Sequence, residues 1–167
     1  GSDWVQLGDD IYGEYFGDVL SSISLSADGS RMAMGAQRND GNGDQSGHAR
    51  VYEFVGETWT QLGADIDGEA SRDWSGKSVS LSAAGDRLAI GAWGNDGNGT
   101  DSGHVRVFDW SGAAWTQVGD DIDGAEPGDY SGNSVSLSAN GNRLAIGAYD
   151  HDGEWTNGGR GHVRIYQ

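Results

Sequence analysis

The chain has 167 residues, with 26 acidic against 10 basic side chains and a formal charge of −16. That length suits one domain, and that charge repels phosphates and anionic lipid, which excludes a nucleic-acid binder with a basic stripe. The absence of Cys removes disulfides and thiolate metal sites, and no apolar run approaches the ~20 residues that span a bilayer.

In chain order, Gly1-Ser2 reads as a remnant of expression, so the compartment is not legible from the start of the chain. A Trp-containing strand is expected over Trp4 to Ile11. Its motif Trp4-Val5-Gln6-Leu7-Gly8 returns as Trp59-Thr60-Gln61-Leu62-Gly63 and as Trp115-Thr116-Gln117-Val118-Gly119. Next comes Ser22-Ile23-Ser24-Leu25-Ser26-Ala27, repeated at Ser78 to Ala83 and Ser134 to Ala139. Small polar and apolar residues alternate there with period two, the mark of a strand. The turn Ala27-Asp28-Gly29-Ser30 follows, with counterparts Ala83-Ala84-Gly85-Asp86 and Ala139-Asn140-Gly141-Asn142. Asp-Gly and Asn-Gly supply the positive φ that tight hairpins require. A second strand, Arg31 to Ala36, matches Arg87 to Ala92 and Arg143 to Ala148, and a third, Gly47 to Tyr52, matches Gly103 to Phe108 and Gly161 to Tyr166.

Each repeat is therefore a four-stranded antiparallel unit, over residues 4–58, 59–114 and 115–167 of a single domain spanning 1–167. One face of the unit carries Val, Leu and Ile and the other Ser, Ala and Gly, so the bulky face of one copy can lie on the small face of the next. The expected fold is all-β, a β-propeller with three four-stranded blades per chain. A solenoid has a shorter period, and a sandwich does not call for repeats.

The segment Tyr130-Ser131-Gly132-Asn133-Ser134-Val135-Ser136-Leu137-Ser138, followed by a hairpin and Leu144-Ala145-Ile146-Gly147-Ala148, resembles the FG-GAP repeat. That repeat builds the propeller of integrin α-subunits and of many secreted microbial proteins. The resemblance implies an extracellular setting and a role in adhesion or protein recognition. The first repeat departs from it, with Asp18-Val19-Leu20 where the others have Trp74-Ser75-Gly76 and Tyr130-Ser131-Gly132, so its first blade is expected to pack differently there. The calcium site of integrin-type repeats lies between the first two strands. Here that loop is a short hairpin with few acids, so the site is not carried over.

Three blades leave two apolar faces open to water, and propellers have ~4–8 blades. The chain opens on an orphan outer strand, and its last repeat stops after the third strand. Two copies would exchange these parts and close as a six-bladed ring, a homodimer with two-fold symmetry. The other reading is a piece of a longer ring.

Candidate sites fall in loops. Asp40, Asn42 and Asp44, with Asp96 and Asn98 in the next repeat, place oxygen atoms at alternate residues, a pattern suited to Ca²⁺. Thr100 breaks the third position, no closing Glu follows, and an Asx-rich turn held by its own hydrogen bonds is the preferred account. No other cofactor is indicated. His48, His104 and His162 fall one per repeat, so they are spread around a ring rather than gathered on zinc, and a hydrogen-bonding role beside a loop Asp is expected. Repeated arginines are expected to pair with Asp65, Asp67, Asp121 and Asp123. Trp93, Tyr149, His151 and Trp155 form a ligand-binding candidate in which the aromatics either stack on sugar or pack between loops. No catalytic constellation stands out. The leading expectation is a non-enzymatic binding or scaffold module that assembles with itself and offers rim loops to protein. The alternatives are a Ca²⁺-dependent glycan binder and a glycoside hydrolase using channel carboxylates.

Overall fold

The computed structural model describes residues 3–150 and 159–167. Its first sheet holds β1 (Leu20–Leu25), β2 (Arg31–Ala36), β3 (His48–Val55), β4 (Thr58–Gln61) and β5 (Ile66–Asp67). The second holds β6 (Ser75–Leu81), β7 (Arg87–Ala92), β8 (His104–Trp110), β9 (Trp115–Gln117) and β10 (Ile122–Asp123). The third holds β11 (Ser131–Leu137), β12 (Leu144–Ala148) and β13 (His162–Tyr166). All pairings within the sheets are antiparallel.

The sheets thus contain five, five and three strands rather than four each. The fourth strand of the repeat is cut in two. β4 pairs with the end of β3 and β5 with its start, both along the same edge. Between them Gly63 sits at φ +86°, a left-handed conformation that breaks the ladder and that Gly adopts at low cost. The Leu62 N–H still donates to the Val51 carbonyl at 2.7 Å, so the edge stays covered across the break.

Successive sheets stack bulky face on small face. Val79, Leu81, Leu88, Ile90 and Phe108 of the second sheet bury against Ala33, Ala49, Val51 and Ile66 of the first. Leu144 and Ile146 of the third bury against Ala89 and Val105 of the second. Alternation with period two makes this possible, because it puts Val79 and Leu81 of β6 and Leu88 and Ile90 of β7 on one side. The small residues have their own task. Ser22 Oγ accepts from Val79 N at 3.0 Å, Ser24 Oγ from Leu81 N at 2.9 Å, and Ser80 Oγ from Leu137 N at 2.9 Å. The serines of each first strand therefore satisfy backbone donors of the next.

Each first strand begins with a bulge. In β6 the pairing jumps from Ser75 to Ser78, in β11 from Ser131 to Ser134, and in β1 from Leu20 to Ser22. The two later bulges each carry a Gly at φ +82°. The Asp18-Val19-Leu20 departure shows up as a bulge that is one residue shorter.

Candidate functional site

The loops after β2 and β7, and the turns that lead into each first strand, gather at one end of the sheets. The turns are built around a buried carboxylate. Asp73 Oδ2 accepts from Glu69 N at 3.1 Å and Ala70 N at 3.0 Å, and Asp129 Oδ2 accepts from Ala125 N at 2.9 Å and Glu126 N at 3.1 Å. Asn95 Nδ2 then donates to Asp73 Oδ2 at 3.2 Å, as Asn39 Nδ2 does to Asp18 Oδ2 at 3.2 Å.

The oxygen-rich loops are held by these and similar bonds. Asp40 Oδ1 accepts from Gln45 N at 2.7 Å, and Asp96 Oδ1 from Asp101 N at 2.8 Å. Asn42 Nδ2 donates to the carbonyls of Gly68 and Glu69, and Asn98 Nδ2 to those of Gly124 and Ala125. The two asparagines staple each loop to the turn 26 or 27 residues further on. Asp44 is exposed, with Arg72 Nε at 3.6 Å.

Below these loops lies a repeated His–Arg–carboxylate cluster. His48 is buried, with its Nδ1 at 3.7 Å from Asp65, and His104 is buried with its Nδ1 at 3.6 Å from Asp121. Burial, reinforced by Arg50 and Arg106, holds both imidazoles below the ordinary His pKa. Burial also raises the Asp65 carboxyl, but hydrogen bonds from Arg50 and Gln61 outweigh it and leave the pKa lowered. Glu14, His48 and Asp65, and likewise Glu69, His104 and Asp121, are near enough to share a cation. In the first group, however, Arg50 holds Asp65 through both carboxylate oxygens, at 2.9 and 3.0 Å, and also pairs with Glu14. The Arg50 guanidinium already occupies oxygens of both carboxylates and would repel a metal ion.

The other expected pairings are redistributed. Arg106 Nη2 reaches the backbone carbonyl of Asp67 at 2.5 Å and Nη1 lies 3.7 Å from Glu69. Arg31 and Arg87 pair with Glu53 and Asp109 on the facing strand, and they also bond Gly85 O and Gly141 O of the following hairpin.

Trp93 lies between Trp74 and Tyr130, with ring centroids at 5.2 and 5.3 Å, and Lys77 Nζ stands 5.3 Å from its ring. Tyr149 is exposed. His151 and Trp155 lie outside the described residues.

Repeat reasoning passed over a groove of about 620 Å³ between the first turn and the first loop. Its walls include Tyr15, Phe16, Arg38, Asp40, Asp44 and Gln45. Tyr15 and Phe16 are exposed, and the matching positions hold Ala70-Ser71 and Glu126-Pro127. The signal lay in that departure from the repeat: two aromatics on a solvent-facing turn where the other copies have none.

Residues 64–108, from the break in the fourth strand through β8, match the FG-GAP repeat. The match includes the Trp74-Ser75-Gly76 corner, where a bulge opens β6. No curated protein matches the chain. Among solved structures, the hydrazine synthase of Kuenenia stuttgartiensis superposes with a TM-score of 0.52 at 14% identity, over 86% of this chain and 32% of that one. The periplasmic gluconolactonase of Pseudomonas aeruginosa superposes with a TM-score of 0.51 at 18% identity, over 77% of this chain and 36% of that one. This chain spans about a third of the length of these two, and at such identity the likeness is one of fold: a β-propeller module.

Proposed function

We propose that this chain is a non-enzymatic binding module whose groove beside Tyr15 and Phe16 takes a basic, partly aromatic or aliphatic segment of a partner protein. The observation that carries this reading is the pair of exposed aromatics on a groove rimmed by Asp40 and Asp44. Exposed aromatic rings next to Asp40, which holds one backbone N–H, and the exposed Asp44, which faces Arg72 at 3.6 Å, suit a partner with Arg or Lys flanked by apolar side chains. The charge of −16 favours such a partner over a long range. The FG-GAP resemblance points the same way, towards adhesion or protein recognition.

The test is a peptide array varied in basic and aromatic content, probed with the chain and with the double variant Tyr15→Ser/Phe16→Ser. Basic-aromatic peptides should bind the parent, bind the variant at least about tenfold more weakly, and weaken with salt. A glycan array read with and without chelator covers the carbohydrate reading, for which the same aromatics would stack on sugar. Calcium-dependent sugar binding with no peptide binding would replace the proposal. Turnover of a glycoside panel would make the chain an enzyme.

A further inference from the structure

His104, Glu69 and Asp121 meet where three parts of the chain converge. His104 opens β8, Asp121 lies between β9 and β10, and Glu69 sits in the turn between β5 and β6. His104 is 1% exposed, so its ring cannot turn to bulk water for a partner. Its Nε2 has no hydrogen-bond partner among the described residues, and its Nδ1 stands 3.6 Å from Asp121 Oδ2 and 3.9 Å from Glu69 Oε2. Both gaps exceed the ~3.2 Å limit of a good N–H···O bond. They are nearer to the spacing of ligands around an ion, because bonds of ~2.0–2.2 Å at tetrahedral angles put neighbouring ligand atoms ~3.3–3.6 Å apart. The three ligand atoms all fall within 4.8 Å of one another.

The matching group around His48 differs in one respect. There Arg50 holds both oxygens of Asp65 and pairs with Glu14. Arg106 has the equivalent place in the sequence, but its Nη2 turns to the Asp67 carbonyl and its Nη1 lies 3.7 Å from Oε1, the other Glu69 oxygen. Asp121 Oδ1 takes Gln117 Nε2 at 2.7 Å. Glu69 Oε2 and Asp121 Oδ2 are left facing the ring. Asp73 and Asp123 act on the same imidazole, so four carboxylates are set against the Arg106 guanidinium. Burial, with the charges of Asp121 and Asp73, raises the Glu69 carboxyl pKa in spite of Arg106. The cluster is short of positive charge.

We propose that Glu69 Oε2, His104 Nδ1 and Asp121 Oδ2 hold one divalent transition-metal ion, with Zn²⁺ the best fit. An imidazole nitrogen and two carboxylates suit Zn²⁺, whereas Ca²⁺ takes ~6–8 oxygen ligands. The ion supplies in the second repeat the positive charge that Arg50 brings to the same carboxylates in the first. It also fastens the turn between the first and second sheets to β8 and to the loop before β10. The Glu69 and Asp121 side chains are 45% and 29% exposed, so a fourth ligand position opens to water. The third repeat has Ala125 at the place of Glu14 and Glu69, so the ligand set does not recur there.

The experiment is isothermal titration calorimetry of the chelator-treated chain with ZnCl₂, repeated in excess CaCl₂. A single Zn²⁺ per chain should bind with a Kd of about 100 μM or tighter, and Ca²⁺ should not displace it. Glu69→Gln and Asp121→Asn should each raise Kd at least about tenfold, with unchanged far-ultraviolet circular dichroism, while His48→Gln leaves it unaltered. Both carboxylates are partly in water, so these two variants test the site even where His104→Gln fails to fold. Zn²⁺ binding weaker than about 100 μM overturns the proposal. So does binding that survives both carboxylate substitutions, or that is lost in a folded His48→Gln chain. Glu69, His104 and Asp121 do not line the groove at Tyr15 and Phe16, so the two proposals fail separately.

Discussion

Asp73 is a carboxylate that is 3% exposed, and two peptide N–H groups and the Asn95 side-chain amide donate to it. Removing such an acceptor strands its donors, so Asp73→Ala should cost about 3 kcal/mol in urea unfolding, with Asp73→Asn in between. His48 and His104 add a pH dependence. Burial lowers both pKa values, so below the unfolded-state value of ~6.5 the unfolded chain binds more protons than the folded one. Stability is therefore complete above that pH and falls as pH drops through it. Tm measured from pH 7.5 to 5.5 should decline, and His104→Gln should flatten the decline. The sequence disclosed both histidines as repeat positions, but the expected hydrogen bond to a neighbouring Asp is not formed: Asp65 stands 3.7 Å from His48 Nδ1 and Asp121 stands 3.6 Å from His104 Nδ1. It did not disclose what Asn42 and Asn98 do. Oxygens spaced at alternate residues serve a cation or a backbone equally well, and only the approach of the distant turn at Gly68 or Gly124 commits the side-chain amides to carbonyls.

Elements follow the repeat closely because each strand needs only period-two alternation and a turn that allows positive φ. The hairpin Asp28 shows this. Its carboxylate accepts from Ser30 N, Ser26 Oγ and Ser30 Oγ, which lowers its pKa to about 2. The split of the fourth strand was not legible, because Gly63 reads as an ordinary strand-end glycine until its φ of +86° is seen. Contacts between sheets are tighter than pattern alone suggests. A Cβ on Gly91 would stand 2.0 Å from the Gly132 carbonyl, backbone against backbone, with no flexible atom to give way. Gly91→Ala should therefore force the second and third sheets apart and cost about 3 kcal/mol or more in chemical unfolding. Ser80→Ala removes the acceptor for Leu137 N and leaves that donor unpaired at the same seam. A loss of about 1–3 kcal/mol is expected from the same unfolding measurement.

At the scale of the molecule, sheet stacking was legible because a sheet's partner is a copy of itself, so one repeat encodes both sides of the contact. The groove at Tyr15 and Phe16 was not, because a repeat-based reading attends to what recurs. The charge acts on the whole chain. Sixteen net negative charges on 167 residues repel one another in the compact state, while the ion pairs that oppose them, such as Arg50 with Asp65, are partly buried. Salt shortens the screening length from ~10 Å at 0.1 M to ~3 Å at 1 M and acts more weakly on buried pairs than on dispersed surface charge. Net repulsion should therefore lose more than pairing does, and Tm should rise as NaCl is raised from 20 mM to 500 mM. The same titration bears on the oxygen-rich loops. Asp40 and Asp96 already accept backbone N–H groups, and the Asn42 and Asn98 amides already bind carbonyls. CaCl₂ at matched ionic strength should then raise Tm no further than NaCl does. An additional Ca²⁺-specific rise, abolished by Asp40→Asn with Asp96→Asn, would show instead that these loops open their hydrogen bonds to hold a cation.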